Sequence, residues 1–300
     1  MAIVSFVLHG KHRGNQQLVK QANLLFGSAY RLQFKYTEYA GHAIELARLE
    51  SQTSNYVIAV GGDGTMNEVV NGVLLSGNKS VIAGLLPCGT GNDFARSIGM
   101  RNSLPQLYQL IEARSVKSVD AGLLSFTTPE GKPSTRYFIN IADVGLGGFI
   151  AQRLSGYTKW MGAFLTFQRA IIAGFLSYRH QPIKAVADTF TYEGNILSYI
   201  IANGKYFGAG LGVAPDAELN DGKFHITLGA NISLWDYLLN LGNVRKGLKI
   251  NHPQMSYHTA SVINITSPQP LPIDTDGEFA GYTPMQVSMV PGALLMLTAL

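Results

Sequence analysis

Residues 56–68 read Tyr56-Val57-Ile58-Ala59-Val60-Gly61-Gly62-Asp63-Gly64-Thr65-Met66-Asn67-Glu68. Tyr56–Val60 is a short apolar run of the kind that makes a buried strand. Val69, Val70, Val73 and Leu74 follow at helical spacing. Between strand and helix lie three glycines and one aspartate. Glycine has no Cβ, so its backbone can come close to an anion. Thr65 and Glu68 have the spacing of a capping box, which predicts a helix start directly after the glycines. Such a start offers unpaired amides and the positive end of the helix dipole.

The same design returns after the apolar run Val81–Leu86, as Pro87-Cys88-Gly89-Thr90-Gly91-Asn92-Asp93-Phe94-Ala95-Arg96. Here Thr90 is the expected helix cap, with Asp93 three residues on. Either loop alone is equally well read as an ordinary tight turn. Two together, rich in Asp and Asn, point to a pair of junctions holding one polyphosphate. Neither fits the P-loop or the Gly-x-Gly-x-x-Gly dinucleotide pattern.

Working outward, strands are expected at Ile3–Leu8 and Arg31–Thr37, with helices at Leu18–Leu25, Ala43–Glu50, Asn67–Leu75 and Asp93–Ile98. This alternation predicts a parallel sheet covered on both faces, with a ligand at the carboxyl ends of the strands. After about Asp120 the texture changes to strand-like segments (Arg136–Ile141, Ala185–Thr191, Leu197–Ala202, Phe224–Leu228, Ser261–Ile265, Gln286–Met289) separated by turn clusters. Helical stretches interrupt them near 150–178 and 233–248. The expectation is an α/β domain over 1–120, with the tail at about 290–300 packing back on it, and a mainly antiparallel β-sandwich over 121–289.

The chain has 300 residues, 46% of them apolar, enough for two cores. A charge of +4 with 14% charged residues is too mild for a nucleic-acid binder. The single cysteine, Cys88, excludes an internal disulfide framework and a cysteine-rich zinc site, and suits a cytoplasmic setting. The first residues read as a buried strand rather than a signal peptide. The longest apolar candidate, Met161–Tyr178, is interrupted by Gln168 and Arg169 and falls short of the roughly 20 residues a spanning helix needs. A soluble protein, or one resting on the inner membrane face, is expected.

The motif Gly62-Asp63-Gly64-Thr65 with Asn67 and Glu68 resembles the nucleotide loop of the diacylglycerol kinase catalytic-domain family, which includes bacterial lipid kinases, sphingosine kinases and ceramide kinases. The likeness continues through Gly89–Arg96, Ile201–Gly210, Ala214–Ala217, Asn220-Asp221-Gly222 and Asp276-Gly277-Glu278, in the family's order. It is closest to the soluble bacterial branch, and implies a fold similar to that of NAD kinases. It further implies an ATP-dependent kinase using Mg²⁺, with diacylglycerol or a related lipid as acceptor. Gly62, Asp63, Gly64, Thr65, Met66, Asn67, Glu68, Thr90, Gly91, Asn92 and Thr37 would contact the nucleotide. Glu278 matches the proton acceptor. Asp221 matches a magnesium ligand of the second domain, with Glu218 and Lys223 contributing mainly backbone oxygens; a simple turn is an equally good reading of Asn220-Asp221-Gly222. Asp63, by its chemistry, is also the candidate to organise the catalytic ion.

One departure stands out. Where the family has Asn-Pro-x-x-Gly, this chain has His9-Gly10-Lys11-His12-Arg13-Gly14, so the nucleotide-side turn falls to His9, Gly10 and Lys11, with the family's Asn missing. Two other functions remain open: an NAD kinase-like enzyme, and a catalytically silent nucleotide-binding regulator. The stretch Gln152–Lys184, with Leu154, Tyr157, Trp160, Phe164, Leu165, Phe167, Phe175 and Leu176 beside five basic residues, suits transient contact with a membrane surface, although a helix covering the sandwich core is the preferred reading. Asp143, among the glycines of 145–148, reads as close packing. Monomer and homodimer are both open.

Overall fold

The computed structural model describes residues 1–10, 14–154 and 163–299, with backbone alone for 163–167. Two compact units emerge: residues 1–119 with 292–300, and residues 120–291.

In the first unit, β1 (Ile3–Leu8), α1 (Asn15–Phe26), β2 (Arg31–Tyr36), α2 (His42–Glu50), β3 (Tyr56–Gly61), α3 (Asp63–Ser76), β4 (Ile82–Pro87), α4 (Asp93–Ser97) and α5 (Leu104–Glu112) alternate along the chain. The sheet order β4-β3-β1-β2 is parallel throughout. Every residue of β3 is buried, as expected for a central strand with helices on both faces. Each of these helices turns its apolar stripe inward. In α3, Met66, Val69, Val70 and Val73 do so, and in α1, Leu18, Ala22 and Phe26. The chain's last strand adds Leu295 and Met296 parallel to Ile82 and Ala83 of β4.

The remaining elements are β5 (Val116–Thr127), β6 (Pro133–Phe138), β7 (Ile141–Gly145), α6 (Leu146–Leu154), α7 (Ala163–Ser177), β8 (Gln181–Ala187), β9 (Thr191–Ile196), β10 (Ser198–Ala202), β11 (Phe224–Gly229), α8 (Leu234–Arg245), β12 (Met255–Ala260), β13 (Val262–Thr266), β14 (Pro272–Thr275) and β15 (Glu278–Leu297). In the second unit the strands run β12-β11-β10-β7-β14-β15-β13-β8-β9, antiparallel at every neighbour, and β5 pairs with β6. Phe138, Tyr199, Ile201, Phe224, Ile263 and Val287 fill the sandwich core. Phe138 and Phe224 stack there, 5.6 Å between ring centroids. A separate cluster joins Leu146 and Ile150 of α6, Ile171 of α7 and Val244 of α8.

Two expected strands are divided. Arg136–Ile141 breaks at Ile139–Asn140 between β6 and β7, and Ala185–Thr191 contains the turn between β8 and β9. Gln286–Met289 is a fragment of the much longer β15.

Candidate functional site

The two glycine junctions meet. β3 and β4 are adjacent, with Gly61 opposite Pro87, and the Cys88 amide donates to the Gly61 carbonyl at 2.8 Å. A methyl group built on Gly89 would lie 2.4 Å from the Cα of Gly62, and one on Gly62 would lie 3.2 Å from the Cα of Gly89. The approach demands glycine at position 89, and a Cβ at position 62 would need its neighbour to give by a few tenths of an ångström.

The helix starts are arranged differently from the sequence expectation. α3 begins at Asp63, two residues before Thr65, so Thr65 lies inside the first turn and is not its cap. Gly62 occupies the cap position, and the first-turn amides of α3 receive no side-chain cap. The Glu68 carboxylate does not fold back; it accepts the amides of Gly41 (3.0 Å) and Ala43 (3.1 Å), capping α2. Nor does Thr90 cap α4. Asn92 stands there in the left-handed conformation, and Asp63 Oδ1 accepts the Phe94 amide at 3.1 Å. Asn92 closes the second loop on itself, taking the Gly89 amide at 3.1 Å and donating to the Gly89 carbonyl at 2.8 Å. Asp63 therefore ties the first loop to the second. Its other oxygen, with Asp93 Oδ2, borders the side of Gly91 where a Cβ would be.

Met66 and Asn67 are fully buried. Asn67 accepts from Asn71, one turn on in α3, through its carbonyl (2.9 Å) and side chain (3.2 Å). His9 donates its amide to Val60 at 3.1 Å, and the Gly10 amide donates to Thr37 Oγ1 at 3.0 Å. His9, Gly10 and Thr37 thus sit together at the carboxyl end of β1, next to the end of β3. Lys11 lies outside the described residues, as do His12, Arg13, Tyr157, Lys159 and Trp160, and the side chains of Phe164, Leu165 and Phe167.

In the second unit, Asp276 and Gly277 form the hairpin turn between β14 and β15, both at positive φ (51° and 87°). That is the conformation an Asp-Gly two-residue hairpin prefers. The buried Asp276 carboxylate accepts three amides, from Ile139 (3.0 Å), Asn140 (2.9 Å) and Ile141 (2.9 Å). This nest fixes the turn that carries Glu278. The Glu278 side chain is 44% exposed and takes a 2.7 Å ion pair from Arg136.

Asp221 lies in an exposed loop before β11. Its Oδ1 accepts the Lys223 amide at 3.0 Å, and its Oδ2 pairs with His225 Nε2 at 2.9 Å. Asp120 braces this loop by accepting the Gly222 amide at 2.8 Å. Glu218 and Lys223 are exposed. Among the described residues no group of three or more His, Cys, Asp or Glu could hold a metal ion. The donor set around Asp221 therefore fits, at most, a hydrated hard cation held by one carboxylate and backbone oxygens.

The sequence reading undervalued Asp143. It is fully buried, its carboxylate accepts Ser198 Oγ at 2.7 Å, and across the β7–β14 ladder it stands opposite the equally buried Asp274. Burial pushes Asp143 up to about 7 despite hydrogen bonds that pull the other way. Burial and the Asp143 charge raise Asp274 as well. Asp143 and Ser198 line an apolar cavity of about 150 Å³ whose walls include Leu146, Ile150, Ile171, Phe175 and Leu211. An aspartate beside a glycine run is the one sequence signal; the cavity forms where α6, α7 and α8 pack beside the strands that carry Asp143 and Ser198.

Two family models divide the chain in the same way as the α/β unit and the antiparallel sandwich inserted in it. The diacylglycerol kinase catalytic domain matches residues 6–124, and the YegS C-terminal NAD kinase beta sandwich-like domain matches residues 142–298. A protein named diacylglycerol kinase from Staphylococcus aureus (strain bovine RF122 / ET3-1) is 31% identical, covering 92% of this chain and 84% of its own. One of the same name from Staphylococcus carnosus (strain TM300) is 30% identical over 83% of this chain and 78% of its own. A solved structure of a candidate diacylglycerol kinase from Bacillus anthracis str. Sterne superposes with a TM-score of 0.79 at 22% identity, covering 98% of this chain and 97% of that chain, which supports the fold. The chain belongs to the diacylglycerol kinase family, as its motifs imply, and is a kinase of the lipid kinase type.

Proposed function

We propose that the protein transfers the γ-phosphate of ATP to the free hydroxyl of diacylglycerol or a closely related glycerolipid, working in the cytoplasm at the inner membrane face. The observation that carries this reading is the contact of the two glycine junctions. Gly62 and Gly89 touch, Asp63 bridges to α4, and the uncapped amides of α3 supply donors for phosphate oxygens. His9, Gly10 and Thr37 border the same strand ends. Glu68 supports this surface by holding the start of α2 through the Gly41 and Ala43 amides.

Phosphoryl transfer depends mainly on positioning and on neutralising charge. Mg²⁺, when bound, supplies that neutralisation. Asp63 would hold it, directly or through water, through the oxygen not engaged by Phe94. Glu278 takes the proton from the acceptor hydroxyl, with Arg136 orienting its carboxylate through the 2.7 Å ion pair. The Asp221 loop, with backbone oxygens of Glu218 and Lys223, would carry a second, structural ion. For the acceptor, the cavity beside Asp143 suits an apolar chain. In its protonated form the Asp143 carboxyl, whose pKa burial raises to about 7, can donate to a hydroxyl or ester oxygen of the acceptor.

The test is incubation with γ-labelled ATP, Mg²⁺ and micelles of diacylglycerol, sphingosine or ceramide, with NAD in parallel. Label is expected in the phosphorylated product of diacylglycerol. Label on NAD alone would overturn the assignment, and tight ATP binding without any transfer would favour the silent regulator. Asp63→Ala and Glu278→Gln are each expected to lower transfer by about 10²-fold or more, the second with ATP affinity within about twofold of the parent. Full activity in Glu278→Gln would remove it from the base role.

A further inference from the structure

Helix α8 is apolar on two sides. Ser233 and Asp236 start it with a reciprocal capping box. On its inner side Tyr237, Leu241 and Val244 join the cluster with Ile171 and Phe175. On its outer side Trp235 is 73% exposed and Leu239 80%, with Leu238 also exposed beside them. Positions 235, 238 and 239 have the i, i+3, i+4 spacing of one stripe. Stability gives no reason for a tryptophan and two leucines to face water there, because the inner side already anchors the helix.

The neighbouring helix does the same. Phe175 of α7 packs on Tyr237 with ring centroids 5.5 Å apart, and Tyr237 Oη donates to Gln168 at 2.8 Å. Outward, α7 exposes Leu176 (77%) and Ile172 (38%), again one turn apart. Charge around the pair is one-sided. Residues 163–179 carry Arg169 and Arg179 and no acid, while residues 233–249 carry Arg245, Lys246 and Lys249 against the single Asp236, with Lys249 ion-paired to the exposed Asp216. The Asp236 carboxylate is held in the capping box by the Ser233 amide (2.9 Å) and hydroxyl (2.6 Å). Among the described residues no helix is long and apolar enough to cross a membrane. A bare aromatic-aliphatic stripe with basic residues around it matches an anionic lipid surface, which takes up apolar side chains at the headgroup boundary and attracts cations.

We infer that the outer stripe of α8, Trp235-Leu238-Leu239, together with Leu176 and Ile172 of α7, is the face by which this enzyme docks on anionic bilayers. It rests on the reading of the acceptor as a membrane lipid, and it assigns docking to α8, a segment outside every family motif in the chain. The test is sedimentation of the whole protein with vesicles of pure phosphatidylcholine or of phosphatidylcholine with phosphatidylglycerol, comparing the parent with the double variant Trp235→Ser/Leu239→Ser. Both side chains are largely in water, so the fold should be unaffected. Parent binding is expected to be at least tenfold stronger with phosphatidylglycerol present, and the double variant is expected to lose at least tenfold of it. Its transfer to a water-soluble short-chain diacylglycerol should stay within about twofold of the parent. Parent-like vesicle binding by the double variant, or no binding by the parent, would overturn the inference. So would a parent dimer that the double variant converts to monomer, since a second copy would then cover the stripe. Vesicle binding by a parent that phosphorylates no lipid would sink the acceptor assignment and leave the docking face standing.

Discussion

A buried carboxylate is costly while it is charged, and Asp143 sits where that cost is largest: inside the sandwich, opposite Asp274, with an apolar cavity beside it. Burial lifts its pKa from the ordinary carboxylate value to about 7. The folded state therefore binds this proton more tightly than the unfolded chain. The resulting stabilisation is full below about pH 4, where both states are protonated. It falls as pH rises through the window up to about 7, then stays level. The limit for that loss is about 4 kcal/mol, and Asp274, raised in the same direction, adds to the slope. Asp143→Asn keeps a partner for Ser198 but removes the proton equilibrium. Urea denaturation of parent and variant at pH 5, 6, 7 and 8 should show the parent losing ground to Asp143→Asn between pH 5 and 7 and running level with it above. Parallel behaviour from pH 5 upward would mean the carboxyl is already ionised there, and would remove the donor role proposed for it toward the acceptor lipid.

Among the elements, the cap that matters most comes from another helix. α2 starts at Gly41, which has no side chain to close the first turn, and the Glu68 carboxylate of α3 does so from 27 residues away. Glu68→Ala is expected to cost about 1–2 kcal/mol in urea denaturation and to speed amide exchange over residues 41–50, with Glu68→Gln losing less. Unchanged exchange in that helix would show the contact to be dispensable. This pairing also shows where sequence reading stops. Thr65 and Glu68 have the right spacing for a local cap, but spacing cannot show that the helix starts two residues earlier or that a neighbouring helix end competes for the carboxylate. The strands and helices from β1 to α4 are legible because apolar residues recur at strand or helix spacing between turn residues. β14 was not, being four residues long with a buried aspartate in it, and neither was β12, whose Ser256, His258 and Thr259 give no apolar alternation. The two glycine junctions were readable as a pair, yet Asp63 as the bridge to the Phe94 amide depends on β3 and β4 being neighbours, which no local pattern states. Asp143 reads as packing in the sequence because its partners, Ser198 and Asp274, lie 55 and 131 residues away in the chain.

For the molecule as a whole, chain order makes the nucleotide unit depend on its last residues. The second unit occupies 120–291, so the first closes only when 292–299 return to it. Leu295 and Met296 pair with Ile82 and Ala83, at the start of the strand that leads to the second glycine junction. The Thr298 amide donates to Ser115 at 3.1 Å and the Ala299 amide to Ile98 at 2.9 Å, just beyond α4. Leu294, Met296 and Leu297 are all buried. Burying each such side chain contributes roughly 1.5–3 kcal/mol, so the tail as a whole rivals the roughly 5–15 kcal/mol by which a domain is stable. A chain ending at Pro291 is therefore expected to lose ATP binding and to be cleaved rapidly by protease within residues 1–119, because the β4 edge is left open and apolar. Since that chain could fail through simple insolubility, Met296→Ala provides the graded version. It should remain folded, lose about 2–5 kcal/mol in urea denaturation, and weaken ATP binding in step with the fraction unfolded while leaving the affinity of the folded fraction unchanged. Parent-like stability in Met296→Ala, or tight ATP binding by the chain ending at Pro291, would show that the nucleotide unit completes its sheet without the tail.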